Sequence, residues 1–192
     1  MSSAAQVTCS ACGATMLAST AARTGGLCMA CKQGIRQNIT AAKVYYQQQR
    51  QPDTFRDYWT ALVHRVHDTP DGFYRLSPQE QTYFSVSVLS GEVYNGGMHQ
   101  FFFNSSGDYY SEALRGLEEL GALRCRALLL AARQELFPAD EPPRDTAARR
   151  ALLPSPSYDL DATDKEFWTD PDKLEDRLRR YALDHHLVPP EA

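Results

Sequence analysis

Residues 77–103 read SPQEQTYFSVSVLSGEVYNGGMHQFFF. The opening Ser77-Pro78-Gln79-Glu80 has the form of a capping box, with proline at the first helical position. Tyr83, Phe84, Val86, Leu89 and Val93 then form a wide apolar face, which predicts a helix to about Tyr94. Asn95-Gly96-Gly97 stops it, because glycine accepts left-handed dihedrals without penalty. A short aromatic element, residues 98–103, comes next.

The flanks repeat the helical signal. Phe55, Tyr58, Trp59, Leu62, Val63 and Val66 lie on one face of residues 53–67, with Pro52 ending the segment before it and Asp53 placed to cap. Pro70-Asp71-Gly72 is a turn. Downstream, residues 104–107 form a loop. Ser106 or Asp108 is placed to cap a helix carrying Leu114, Leu117 and Leu120, which Gly121 breaks. Leu123–Leu136 and Thr146–Leu152 read as further helical stretches, separated by the proline-acid loop 138–143. Residues 154–157 are a loop and 164–168 a short turn of helix. Asp170-Pro171 opens a last helix with Leu174, Leu178, Tyr181 and Ala182 on its buried stripe, and Val188-Pro189-Pro190 ends it. No alternating strand pattern is visible here. The fold class is mostly α: residues 51–192 form an all-α domain behind a small module spanning residues 1–50.

That module carries Cys9-x-x-Cys12 and Cys28-x-x-Cys31, with fifteen residues between the pairs. Four thiolates at this spacing form a closed cage for Zn²⁺, a structural metal with no open coordination position. Gly13 suits the first knuckle, and Gly25-Gly26 lets the chain reverse before the second. A unit of ~50 residues needs such a staple. Any strands belong to this zinc hairpin, residues 1–8 are an irregular start, and residues 33–50 make a connecting helix with Ile35, Ile39, Ala42 and Tyr46 near one stripe. Disulfides or a redox C-x-x-C are the competing readings. The opening residues lack a basic stretch and an apolar run, which favours a reducing cytoplasm and hence metal. Cys125, in an apolar helical stretch, reads as a small core residue. His64-x-x-His67 is a weak metal pair, and His185-His186 suits the end of the last helix.

The chain's 192 residues carry a net charge of −4 that hides an asymmetry. Residues 1–52 hold five basic and no acidic residues; the rest hold fifteen basic against twenty-four acidic, which gives −9. Asp159, Asp161, Asp164, Glu166, Asp170, Asp172, Glu175 and Asp176 form the densest acidic set. It is either a solvated face or a docking patch for a basic partner. The module's +5, with Tyr45 and Tyr46 on the connecting helix, leaves a nucleic-acid role open, although no basic cluster lies between the knuckles. No run approaches the ~18 apolar residues of a membrane span.

Residues 89–109, LSGEVYNGGMHQFFFNSSGDY, resemble the signature of the DNA-mimic-protein-like family (domain of unknown function 4375). The resemblance rests on Glu92, Asn95, Gly96, Gly97, Gln100 and Phe101, on the continuation through Asn104 and Gly107, and on Leu120-Gly121. It covers residues 53–185, and the four-cysteine zinc ribbon is similar to one found ahead of such domains. It implies an all-α fold and a non-enzymatic role: an acidic surface imitates the DNA backbone and occupies a basic protein. The block Glu92, Asn95, His99, Gln100 and Asn104 has two further readings, a structural set at a helix break or a polar pocket in which Glu92 and His99 act as acid and base. The expected function is therefore protein-binding inhibition or regulation in the cytoplasm. The alternatives are an immunity protein against a cognate toxin, a small enzyme or ligand-binding domain using the Glu92/Asn95/His99 pocket, and a nucleic-acid-binding regulator using the ribbon. The expected partner is a basic protein, a DNA-binding protein or a toxin, with a homo-oligomer also open.

Overall fold

The computed structural model describes residues 5–49, 53–153 and 159–189. The chain divides into two compact units, Met1–Pro52 and Asp53–Ala192.

In the first unit, strands β1 (Gln6–Thr8) and β2 (Thr15–Leu17) pair antiparallel, with Val7 opposite Met16. Gln6–Thr8 is thus part of the hairpin, where the sequence suggested an irregular start. Three helices follow: α1 (Ala18–Thr24), α2 (Met29–Lys32) and α3 (Arg36–Gln49). Helix α1, lying between the cysteine pairs, carries no apolar periodicity that announced it. The expected end of α3 at Pro52 falls outside the described residues.

The second unit is helical: α4 (Thr54–His67), α5 (Pro78–Phe103), α6 (Tyr110–Glu119), α7 (Leu123–Leu136), α8 (Thr146–Leu152), α9 (Asp161–Phe167) and α10 (Leu174–Asp184). The Asp53 carboxylate caps α4 by accepting from the amides of Phe55 and Arg56. The capping box of α5 is complete: Ser77 Oγ accepts from Glu80 N, and Glu80 Oε2 accepts from Ser77 N at 2.9 Å. Helix α5 is the central element. Tyr83, Phe84, Val86, Leu89, Val93, Met98, Phe101 and Phe102 are all buried, so it is apolar over most of its circumference, as a core helix should be. Helix α6 crosses it closely at Gly116, where a Cβ would stand 2.7 Å from Val86 Cγ2.

Several local expectations are corrected. The chain breaks at Gly96 (φ −163°, ψ 23°) and Gly97 (φ 80°, ψ 178°), yet residues after the break resume as helix in place of a separate aromatic element. Ser106 and Asp108 do not cap α6. Its N-cap position is Tyr109, and a 3-10 turn (Ser105–Tyr109) carries Ser106 and Asp108 to other partners. Helix α10 starts at Leu174, because Asp170 (φ 53°) and Lys173 (φ 52°) adopt left-handed dihedrals that put Pro171 in a turn. Asp170 still caps: its Oδ1 accepts from Leu174 N at 2.8 Å. The loop 154–157 and Pro190 lie outside the described residues.

Candidate functional site

Each cysteine pair sits on a knuckle built by the backbone. Leaving β1, the chain turns so that Cys9 N donates to Ala14 O and Gly13 N to Cys9 O, both at 2.9 Å. Gly13 holds φ +71°, which a side chain would strain. Ser10 N donates to Gly26 O at 3.0 Å and ties the first knuckle to the second. Cys28 is the N-cap residue of α2, and Cys31 lies within that helix.

The four Sγ atoms of Cys9, Cys12, Cys28 and Cys31 all lie within 4.8 Å of one another, and Cys12 and Cys28 are 3.7 Å apart. Tetrahedral Zn–S bonds of about 2.3 Å require sulfurs about 3.8 Å apart, so the cage fits that ion. Cys9 Sγ accepts from Cys28 N at 3.2 Å, and Cys28 Sγ accepts from an Arg36 guanidinium nitrogen at 2.8 Å. These donors favour thiolate. The Cys28 amide, first among the causes, brings Cys9 down to about 6. Cys28 is lowered by the Cys31 amide and then by Arg36. Cys31 is pushed up to about 12, first by its contact with the Cys12 sulfur and then by burial, because adjacent thiols resist successive ionisation. His64 and His67 are exposed on α4 and join no ligand cluster of three or more among the described residues. Cys125 is buried, and its thiol is raised to about 12, chiefly by burial, as expected of an unreactive core residue.

The block around the helix break is drawn together by hydrogen bonds. Glu92 Oε2 accepts from Gln100 Nε2 (2.7 Å) and Asn104 Nδ2 (3.0 Å), and Glu92 Oε1 accepts from Ser106 Oγ (2.5 Å). Gly97 leaves room for a carboxylate: a Cβ there would stand 2.2 Å from Asp164 Oδ2, while Asp164 Oδ1 accepts from Met98 N at 2.8 Å. That bond satisfies an amide at the restart of the helix. Burial raises the Asp164 carboxyl above its ordinary range.

Arg149 anchors the far end. It is fully buried, and its guanidinium donates to the carbonyls of Phe102 (2.7 Å), Pro143 (2.8 Å), Arg144 (2.8 Å) and Asn104 (2.6 Å) while pairing with Asp108 at 2.8 Å. Gly107 lies beneath it, where a Cβ would meet Arg149 Nε at 2.6 Å. Ser106, Gly107 and Arg149 therefore complete the arrangement around Glu92 and Asn104.

A cavity of about 500 Å³ opens beside this block, lined by Glu92 and Asn95 together with Trp59, His67, Phe84 and Tyr109. His99, Gln100 and Asn104 are not among its lining residues. His99 stacks on Phe103, with ring centroids 5.7 Å apart, and burial lowers its pKa against the opposing charge of Asp164. The arrangement thus gathers Glu92, Gln100 and Asn104 into one network while His99 faces other partners.

The acidic set divides into two kinds. Asp164, Asp170 and Asp172 each give a carboxylate oxygen to a peptide N–H, those of Met98, Leu174 and Cys125. Glu166 meets Arg124 in a two-pronged pair. Asp161 and Glu175 pair with Lys165 and Arg179 one helical turn on, at side-chain exposures of 82% and 76%. Asp159 and Asp176 are exposed.

A family model described as DMP19-like protein matches residues 74–186. The chain belongs to the DMP19-like protein family. This match overturns the assignment to the domain of unknown function 4375 family: the family carries a different name, and its segment starts at Tyr74 and not at residue 53. The segment takes in α5 through α10, so the Glu92 network, the Arg149 anchor and the acidic set all lie inside it, while the cysteine cage lies before it. No curated protein and no solved structure matches the chain. Among the described residues, no helix is long and apolar enough to cross a membrane.

Proposed function

We propose that this DMP19-like protein is a non-enzymatic regulator or inhibitor that presents an acidic helical surface to a basic protein in the cytoplasm. Family membership carries the reading, since DMP19 is a DNA mimic protein. Charge supports it: residues 53–192 bear −9, enough to bias encounter towards a cationic partner. Within the acidic set of residues 159–176, the outward acids are Asp159, Asp161, Glu175 and Asp176. The pairs made by Asp161 and Glu175 are exposed, a class that contributes only about 0.2–1 kcal/mol, so both carboxylates are available to exchange a lysine or arginine of their own for one from a partner. Asp164, Asp170 and Asp172 hold the fold instead. In the first unit, Cys9, Cys12, Cys28 and Cys31 hold a structural Zn²⁺, which supplies the cross-link that its small core lacks.

The test begins by capturing the partner on the full chain and measuring its affinity at several salt concentrations. Reversing Asp161, Glu175 and Asp176 to lysine lowers affinity at least tenfold and flattens the salt dependence, as removal of charge contacts requires. Unchanged affinity and slope would dismiss this surface. Capture of a DNA-binding protein supports mimicry, whereas capture of a toxin makes the chain an immunity protein.

A further inference from the structure

We propose that Arg36 is a positioning residue of the cysteine metal centre, coupling metal binding to the start of α3. The inference rests on the zinc reading and adds a residue outside the ligand set. Three observations carry it. Arg36 donates to Cys28 Sγ at 2.8 Å. It is the first residue of α3, where a cation opposes the helix dipole and gains nothing locally. Among the described residues, its Nε is buried without a hydrogen-bond partner. A partly desolvated guanidinium held against sulfur is unfavourable beside neutral thiols and favourable beside thiolates. Metal binding makes all four sulfurs thiolate, and a divalent ion with four of them bears a net charge of −2, which one adjacent cation halves.

The path from cage to helix is short. Lys32 N donates to Cys28 O at 2.9 Å and Ile35 N to Ala30 O at 3.0 Å, so the second knuckle leads directly into the turn that presents Arg36. The guanidinium fixes the Cys28 sulfur on one side while the Cys28 amide fixes Cys9 on the other. Partners of this kind orient ligands, and their loss typically lowers metal affinity 10–100-fold.

The experiment titrates cobalt(II) into the reduced full chain and then competes bound zinc with a chromophoric chelator, for wild type, Arg36→Met and Arg36→Lys. The wild type takes up one cobalt with the absorption of a tetrahedral thiolate site. Arg36→Met keeps one equivalent and the tetrahedral pattern. Its sulfur-to-cobalt charge-transfer band shifts, its zinc affinity falls at least tenfold, and metal addition restores less far-UV helical signal. Arg36→Lys, which keeps the charge without the planar fork, falls between. Arg36→Met with wild-type affinity and an unshifted band would overturn the role of Arg36 alone. A wild-type chain that takes up no cobalt would overturn the metal centre as well.

Discussion

At the scale of single residues, the decisive side chains are polar groups committed to the backbone and to one another. Arg149 is the strongest case: a fully buried cation is tolerated only because four carbonyls and Asp108 surround it. Arg149→Met leaves those acceptors unpaired and is expected to destabilise by about 3–5 kcal/mol, lowering the thermal midpoint by roughly 10 °C in calorimetry. Glu92 is a milder case. In Glu92→Gln one oxygen must serve donors that two oxygens now serve, and the new amide faces at least one of them. The expected loss is about 1–3 kcal/mol in urea unfolding, with the helical spectrum kept. These residues were unequally legible. Glu92, Gln100 and Asn104 stand close enough along the chain to suggest a shared purpose. Arg149 lies more than forty residues beyond Phe102, Asn104 and Asp108, in a stretch where it resembled any surface arginine.

At the scale of elements, the central helix and its break are held by α9. The sequence announced the start of α5 through its capping box and the interruption through Gly96-Gly97, because both are local signals. It did not announce that helix resumes, since that depends on Asp164 reaching Met98 N from a distant segment. Gly97→Ala combines a φ of +80° with a clash against Asp164 and is expected to destabilise by about 2–3 kcal/mol or more. Two carboxylates on α9 then predict opposite pH behaviour. Burial raises Asp164, so the folded state holds its proton more tightly than the unfolded one. Its charge therefore opposes folding increasingly as pH rises from the ordinary carboxylate value through the raised one. Arg124 lowers Glu166, so that pair stabilises above the ordinary value and its contribution is lost as pH falls through the lowered one. Asp164→Asn keeps an acceptor for Met98 and is expected to gain on wild type at pH 7 relative to pH 3.5. Glu166→Gln is expected to do the reverse, with urea midpoints at the two pH values deciding both.

At the scale of the whole molecule, the division into units was legible in charge and composition: residues 1–52 hold every paired cysteine and no acid, and the acids begin at Asp53. The two units are stabilised by different means. The buried apolar cluster draws all its members from Phe55 to Val188, whereas among the described residues of the first unit only Cys9 and Cys28 are buried apolar residues. A unit without a core cannot offset its ordering entropy once its cross-link is removed. Stripping metal with a strong chelator under reducing conditions is therefore expected to unfold residues 5–49 alone. Amide exchange in β1, β2, α1 and α2 should rise to that of an unstructured chain, while α5, α6 and α7 keep their protection and the main thermal transition stays where it was. Protection unchanged in the hairpin would mean that hydrogen bonds such as Ser10 N to Gly26 O suffice without metal. Protection lost in both units together would mean that the helical unit depends on the cysteine cage, which its self-contained core argues against.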